Sequence, residues 1–536
     1  MHKTKRPVAP TRTALATMAV LAAVAPLTLG AQAQAADVPA TADAPAGAQW
    51  TTRTLAPGVQ VRTGTIRRTD AAPSWTVTVT DPVTSRLTGA AVTAEVGPRS
   101  WADTTAARLR AAGYRPRVET VRWPDYADTP HGTMGLRVRI GSYATQAAAQ
   151  PVASTLAAAG FHPAVEWTGY DADQPADVEN IHVAVIDPHL FSGTVEGSHD
   201  GNVAQRETTS SVAAKAGSLI AVNGGFFVTA DTDGVQGTQS GTGAYDGRLE
   251  SLSAGSRASL VLADGGRRIR VADLSSTATA RAGGSAYAVQ GINRVPGTVR
   301  DCGRPGALPS ALPWQDVTCH ETDDLVLFTP AFGAELPGGA GVQAVLDASG
   351  RVVSTGVRGG RVPAGGSVLQ GIGSAATWLT GHARTGRRID VSETVRDTAG
   401  RRVPLGPGDS IVSAAPTLVR NGRVDIDAAA EGTVDPADLS FGYAWANTRQ
   451  PRTMAGVDAR GRLLLVTVDG RQTDGSEGFT LQEGAAYMRS LGAVQALNLD
   501  GGGSTAMAVD GVLVNHPSDA TGERPVGDTV QVRPAG

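Results

Sequence analysis

One stretch of this chain runs from an apolar strand directly into polar groups: Ala496-Leu497-Asn498-Leu499-Asp500-Gly501-Gly502-Gly503-Ser504-Thr505. Asp500 stands where a buried strand would meet solvent. Glycines let backbone N–H groups approach a ligand without interference from Cβ, so the block can hold an anion, orient a sugar or simply turn the chain. Asp500 is the first candidate for a catalytic carboxylate. Asn498, Gly501, Gly502, Gly503, Ser504 and Thr505 are candidate binding groups around it.

Three other blocks have the same character. In Ile220-Ala221-Val222-Asn223-Gly224-Gly225-Phe226-Phe227 a strand ends in an amide that could meet a sugar hydroxyl, with Gly224 open to a ligand. Phe226 and Phe227 read as core residues behind that turn. Asn447-Thr448-Arg449-Gln450-Pro451-Arg452-Thr453 places guanidiniums around a proline, and Arg452 beside the Thr453 hydroxyl suits a phosphate or carboxylate. The segment from Val468-Asp469-Gly470-Arg471 to Glu483 supplies a second strand-end carboxylate, a further guanidinium and a third acid. Thr480-Leu481-Gln482-Glu483 also reads as a capping box, which gives Glu483 a structural role beside any catalytic one. His516 and Arg524 follow the glycine block closely enough to wall a site, although a lone histidine is more often at the surface.

The elements that must position these groups are mostly short strands. Val183 to Asp187 and Leu463 to Val468 are apolar runs, and Asp510-Gly511 is a hairpin turn between two strands. Helices are few, with Thr209–Lys215 and Leu481–Leu491 the clearest. Residues 181–536 read as one large β-rich domain. Ahead of it lies an internal repeat: strand Ala91–Val96, helix Trp101–Ala112, strand Tyr114–Val121, then strand Leu136–Ile140, helix Thr145–Ala159, strand Phe161–Trp167. Two βαβ units make a small ferredoxin-like sheet. The fold class is α+β, a large β-rich domain plus this small one.

At the N-terminus Lys3, Lys5, Arg6 and Arg12 precede an apolar run from Ala14 to Leu29, followed by small residues to Ala36. This reads as a secretory signal over 1–35, then a disordered leader at 36–49. A retained anchor is the alternative, but the run is short for a membrane span. No other segment is apolar enough to cross, so no membrane association is expected after cleavage. Cys302 and Cys319 are the two cysteines of the chain. In a secreted protein they are expected to pair, closing a Gly/Pro-rich loop. A formal net charge of −3 offers no basic field, which argues against nucleic-acid binding.

Val138-Arg139-Ile140-Gly141-Ser142-Tyr143, Ala147 to Leu156 and Ala159-Gly160-Phe161 resemble a SPOR (sporulation-related repeat) domain over residues 89–169, with a long Pro-containing connection, Trp123 to Gly132, as a departure. The resemblance implies binding to peptidoglycan glycan strands. A plain spacer is the other reading of this module.

The four chemical blocks, with Glu483, His516-Pro517-Ser518-Asp519 and Glu523-Arg524-Pro525-Val526, resemble the phosphodiester glycosidase family in order and content. Ala506 is a departure, where the family often has a small polar residue. This resemblance implies hydrolysis of a glycosyl-1-phosphodiester, in a wall polymer or a small diester. Asp500, Asp469 and Glu483 would be the catalytic acids. Asn223, Gly224, Arg452, Thr453, Arg471, Asn498, Gly501 to Thr505, His516 and Arg524 would hold substrate. It also places strands ahead of residue 181, so residues 50–85 are expected to belong to the large domain, with the SPOR-like module inserted after them. A non-catalytic glycan-binding protein is the alternative. No cofactor is evident; Asp469 with Asp500 could ligate a hard cation such as calcium, and the metal stays unknown.

Overall fold

The computed structural model describes residues 49–536 apart from 69, 303–312 and 474. The expected export signal, and the leader up to its last residue, lie outside the described residues. Among the described residues no helix is long and apolar enough to cross a membrane.

An antiparallel sheet of eight strands organises the large domain. Its order is Gln49–Ala56, Val59–Arg67, Val178–Ile186, Leu463–Val468, Arg452–Asp458, Ala493–Asn498, Thr417–Arg420 and Arg423–Val424. Both faces are covered, which explains the unbroken apolar run at 463–468: successive side chains point to opposite faces, and both faces need them. Leu463 and Leu465 enter one core with Ile220, Met507, Val530, Leu260 and Val412. Leu464, Val466 and Val468 enter the other with Leu481, Ala485 and Met488. The last three lie on the helix Leu481–Ser490, which Thr480 and Glu483 open with a reciprocal capping box.

A five-stranded sheet supports the first core, in the order Thr194–Ser198, Thr529–Arg533, Ile220–Asn223, Met507–Val509 and Val512–Leu513. Its last two strands form the hairpin expected at Asp510-Gly511, where both residues take positive φ, 51° and 76°. Residues 243–413 add a further sheet around Arg257–Ala263 and Arg268–Ala282. Beside it lies a smaller sheet built on Asp324–Phe328, Val342–Leu346 and Ser367–Ile372.

The small module differs from expectation at its first strand. Its four-stranded antiparallel sheet runs Pro116–Arg122, Thr133–Tyr143, Trp75–Val79, Pro163–Trp167. Ala91–Ala94 pairs instead with Asp81–Thr84 in a separate ribbon. The physical reason is the apolar face. Val77 and Val79 are buried with Val138, Ile140, Leu109 and Leu156 beneath the helices Arg99–Ala111 and Gln146–Ala158. Ala91 and Thr93 are exposed and offer no such face. Of the residues 50–85 expected in the large domain, only the first two strands join its sheet. The chain leaves that sheet after Val59–Arg67 and returns in Val178–Ile186, and these two strands pair directly, Val59 with Ile186 through Arg67 with Val178.

The sheet face away from the helices carries Arg137 and Arg139, both buried. Each donates to the Asp171 carboxylate, Arg137 Nη1 at 2.9 Å and Arg139 Nη2 at 3.1 Å. Asp171 in turn forms a β-bridge with Thr448, and its carbonyl accepts from Arg449 Nη1 at 2.7 Å. A polar face of the small module is therefore tied to the 443–449 segment of the large domain.

Candidate active site

Three of the sequence blocks converge on Asp500 through backbone hydrogen bonds. The Leu499 N–H donates to Thr453 O at 2.8 Å, the Asp500 N–H to Gly224 O at 3.0 Å and the Gly502 N–H to Pro451 O at 2.9 Å. The Asn223 amide donates to Asp500 O at 2.7 Å, and its Oδ1 accepts from Thr453 Oγ1 at 2.6 Å and Ala506 N at 3.1 Å. Asn223 is fully buried. Both ends of its amide are spent on the protein, so it shapes the loop and does not meet a sugar. The Thr453 hydroxyl and the Asn498 amide are likewise buried and turned to protein acceptors.

The loop that results is a shelf of glycine backbone beside the carboxylate. Asp500 Oδ1 accepts from Gly501 N at 2.9 Å. Burial pushes the Asp500 carboxyl up to about 7, with the Asp316 carboxylate adding to the rise. Gly502 takes φ +59°. A Cβ on Gly503 would lie 2.1 Å from Arg524 Nη2 and 2.2 Å from Asp519 Oδ1, so glycine there is what lets the Arg524–Asp519 pair lie against the loop.

Asp500 and the three glycines form one wall of a cleft of about 240 Å³. Arg471 and Arg524 line it too. Arg471 is exposed, with its Nε donating to Gln450 Oε1 at 2.6 Å; Arg524 is paired with Asp519 at 2.7 and 2.9 Å. Another wall consists of Asp301, Gln315 and Asp316. These flank the disulfide that joins Cys302 to Cys319 as expected. Asp301 is held by Arg257 Nη1 (2.6 Å), Ser240 Oγ (2.7 Å) and the Asp316 N–H (2.8 Å). The Asp316 carboxylate is exposed, with Arg300 at 2.6 Å. Phe226, Phe227 and Trp445 complete the cleft with aromatic surface. The two phenylalanines are buried, as a core reading requires, yet both edge the cleft. Asp301, Gln315, Asp316 and Trp445 are site residues that the sequence motifs do not mark. The signal available for the first three is their position beside the paired cysteines.

Several expected site residues stand elsewhere. Arg452 is fully buried, and its guanidinium donates to Phe479 O at 2.8 Å and to Trp445 O, stacking 4.9 Å over the Trp445 ring. Burial without a carboxylate partner pulls it down to about 9. It braces the cleft's tryptophan and does not line the cleft. Asp469 is buried and accepts from the His516 N–H at 2.9 Å and Asn515 Nδ2 at 3.3 Å; burial raises it to about 6. It anchors the 515–516 segment and does not line the cleft of Asp500. Among the described residues no group of three or more His, Cys, Asp or Glu is arranged to hold a metal ion. Glu483 accepts Arg449 Nη2 at 2.6 Å and the Thr480 N–H at 2.9 Å, so the cap and a buried guanidinium use both its oxygens. The His516 ring is exposed outside the cleft. Gly224 meets Asp528, whose carboxylate lies 2.3 Å from where a Cβ would stand, and it is closed to ligand. Ser504 and Thr505 are buried beneath the shelf.

Residues 340–533 match the phosphodiester glycosidase family, and residues 96–165 match the SPOR domain. The chain is 34% identical over 117 residues to mouse N-acetylglucosamine-1-phosphodiester alpha-N-acetylglucosaminidase, which is 22% of each protein. It is 33% identical over 176 residues to the bovine enzyme of the same name, 32% of this chain and 31% of that one. The match thus spans under a third of either curated relative. A solved structure from Burkholderia pseudomallei K96243, described as a "putative exported protein", superposes with TM-score 0.78 at 34% identity, covering 91% of this chain and 96% of that one. A hypothetical protein from Synechocystis shares the fold at 17% identity, with TM-score 0.51 over 90% of this chain and 75% of that one. The chain therefore carries a phosphodiester glycosidase domain match over residues 340–533 and a SPOR domain ahead of it over residues 96–165.

Proposed function

We propose that this protein hydrolyses a glycosyl-1-phosphodiester, releasing a sugar and a phosphomonoester. The observation that carries the reading is one cleft lined by Asp500, the Gly501–Gly503 backbone and the guanidiniums of Arg471 and Arg524. A phosphate leaving group needs positive charge where negative charge collects, and it needs little protonation to depart. Arg471 supplies that charge, with Arg524 beside it sharing its guanidinium with Asp519, and the glycine shelf brings backbone close to it. Asp500, with its carboxyl near 7, takes a proton from the attacking water on the sugar side. Asp316, on the opposing wall, replaces Asp469 as the second carboxylate. Phe226, Phe227 and Trp445 offer faces to the sugar ring.

The SPOR domain and the exported relative favour a substrate outside the cytoplasm, a glycosyl-phosphate polymer of the cell wall held near peptidoglycan. The test is incubation of wild type and Asp500→Asn with an N-acetylglucosamine-1-phosphodiester. Sugar and phosphomonoester should appear in equal amounts with wild type and fall at least ~100-fold with the variant. A wild type that releases neither, from this diester or from wall-derived ones, leaves the glycan-binding alternative in its place.

A further inference from the structure

The Trp123–Gly132 connection, the departure from the SPOR pattern, is fastened to the large domain along its length. The Ala127 N–H donates to Ile426 O at 2.9 Å. Tyr126 is buried, and its hydroxyl donates to Asn447 Oδ1 at 2.9 Å and Ala446 O at 3.1 Å. The Asp128 carboxylate accepts from the N–H groups of Ala429 and Ala430 at 3.0 and 2.7 Å. The Asp125 N–H donates to Gln482 Oε1 at 3.1 Å.

That fastening leaves a second cleft, of about 330 Å³, between the root of the connection and the large domain. Trp123 and Arg122 line it from the small module, and Tyr443, Asn447 and Gln482 from the large one. Trp123 is half-buried, so part of its ring is free for contact. Of the charged groups in this lining, Arg137 is neutralised by Asp171, with Asp173 3.6 Å away, and Arg122 is exposed. The half-buried Trp123 ring and the amide NH2 groups of Asn447 and Gln482 suit a saccharide, whose C–H faces stack on rings and whose hydroxyls accept amide hydrogen bonds.

One short helical turn contributes residues to both clefts. Tyr443–Asn447 is a single π-helical turn. Tyr443 and Asn447 face the second cleft, while Trp445 between them faces the cleft of Asp500. Such turns are wider than α-helix and are frequently found at functional sites.

We propose that the composite cleft of Trp123, Tyr443, Asn447 and Gln482 is a saccharide-binding site that holds a glycan segment while the Asp500 cleft acts elsewhere on the polymer. The choice of a saccharide leans on the proposed hydrolase function; the cleft and its lining do not. The test uses the full chain and chitotetraose as an uncharged probe, with binding followed by calorimetry. Trp123→Ala should weaken binding at least tenfold. Tyr443→Phe, which removes one hydroxyl and keeps the ring, should weaken it severalfold with an unchanged melting temperature. Binding lost in Arg471→Ala but kept in Trp123→Ala would place the saccharide in the Asp500 cleft and overturn the proposal, as would absence of binding by wild type. Hydrolysis of a small diester, measured separately, distinguishes the outcomes. An inactive protein whose chitotetraose binding depends on Trp123 refutes the hydrolase reading alone.

Discussion

The side-chain amide of Asn223 hangs from the backbone carbonyl of Asp500, 2.7 Å away, while its own oxygen takes the Thr453 hydroxyl at 2.6 Å. One buried amide therefore welds three strand ends at the carboxylate. Each bond is made inside the protein, where an abandoned partner regains no water. Asn223→Ala should cost about 2–3 kcal/mol, because Asp500 O and Thr453 Oγ1 both lose their partner. It should also lower kcat on a sugar phosphodiester at least tenfold, since Asp500 would no longer be held in place. Chemical unfolding and steady-state kinetics check the two effects, and a variant with wild-type stability would contradict the weld.

Asp500 makes opposite predictions for stability and rate. Its carboxyl is raised from 3.8 to about 7 by burial. Between those values the folded chain holds a proton that the unfolded chain has released, so folding is favoured below the lower value and the advantage is lost as pH rises towards 7. The rate should move the other way: a general base works when ionised, so kcat/KM should climb with pH and level off above about 7. Asp500→Asn should abolish that climb and also raise stability at pH 8 by about 1–3 kcal/mol, because an ionised carboxylate is no longer buried. A rate that falls through pH 7 would make Asp500 a general acid instead.

Local signals in the sequence are clear where chemistry and structure need the same residues. Glycine blocks after strands, the capping box at Thr480 and the hairpin at Asp510-Gly511 follow from short-range rules, and each stands at its expected place. Arg452, Asp469 and Glu483 do not line the Asp500 cleft, for a common reason. Strand-end charges adjacent to a site have the same composition whether they face a ligand or brace the wall behind it, and the direction is set by tertiary packing. Asp301, Gln315, Asp316 and Trp445 reach the cleft from segments distant in sequence, which no periodicity reveals. The first strand of the small module escapes a sequence reading because Trp75–Val79 lies beyond the ribbon Asp81–Ala94, which interrupts the βα unit.

The disulfide has a position as well as a bond. Cys302 follows Asp301, and Cys319 lies three residues beyond Asp316, so the staple holds both acids of one cleft wall. Its loss releases a loop with ends 17 residues apart, which the chain-entropy account values at about 3 kcal/mol. Cys302→Ser/Cys319→Ser should therefore lower the melting temperature. It should raise KM for a sugar phosphodiester and also lower kcat, because Asp316 is the second carboxylate of the proposed reaction, while Asp500 and the arginines keep their own supports. Equal KM values would separate the staple from substrate contact.

Arg471 and Arg452 look alike in sequence and should behave differently. Arg471 is exposed in the cleft with one bond to Gln450, whereas Arg452 is buried with three backbone carbonyls around its guanidinium. Arg471→Ala should leave stability within about 0.5 kcal/mol of wild type and lower kcat/KM by roughly 100-fold, the scale of a lost charge-stabilising donor. Arg452→Ala should instead cost about 3 kcal/mol, through unsatisfied carbonyls and the loss of the cation that braces the Trp445 ring. Denaturant midpoints and kinetics on the two variants decide the assignment.

The small module's hold on the large domain rests on a buried charge cluster. Asp171 is 4% exposed and accepts from two guanidiniums that are each 2% exposed, Arg137 and Arg139. Removing one partner of such a group leaves the others buried and under-neutralised, a far larger loss than for a surface pair. Glu119, Asp173 and Glu166 lie near enough to share the guanidiniums and limit the damage. Asp171→Ala should cost about 3 kcal/mol, and the loss should persist at about 0.5 M salt, since screening acts weakly on charges sealed from solvent. Asp171→Asn keeps an acceptor oxygen but not the charge and should fall between. Because the Asp171 carbonyl still receives Arg449, the loss should appear first as faster amide exchange in Thr133–Tyr143, whose outer face it neutralises, and only later in the Asp500 shelf. Uniform exchange across both regions would mean that the two modules unfold as one unit.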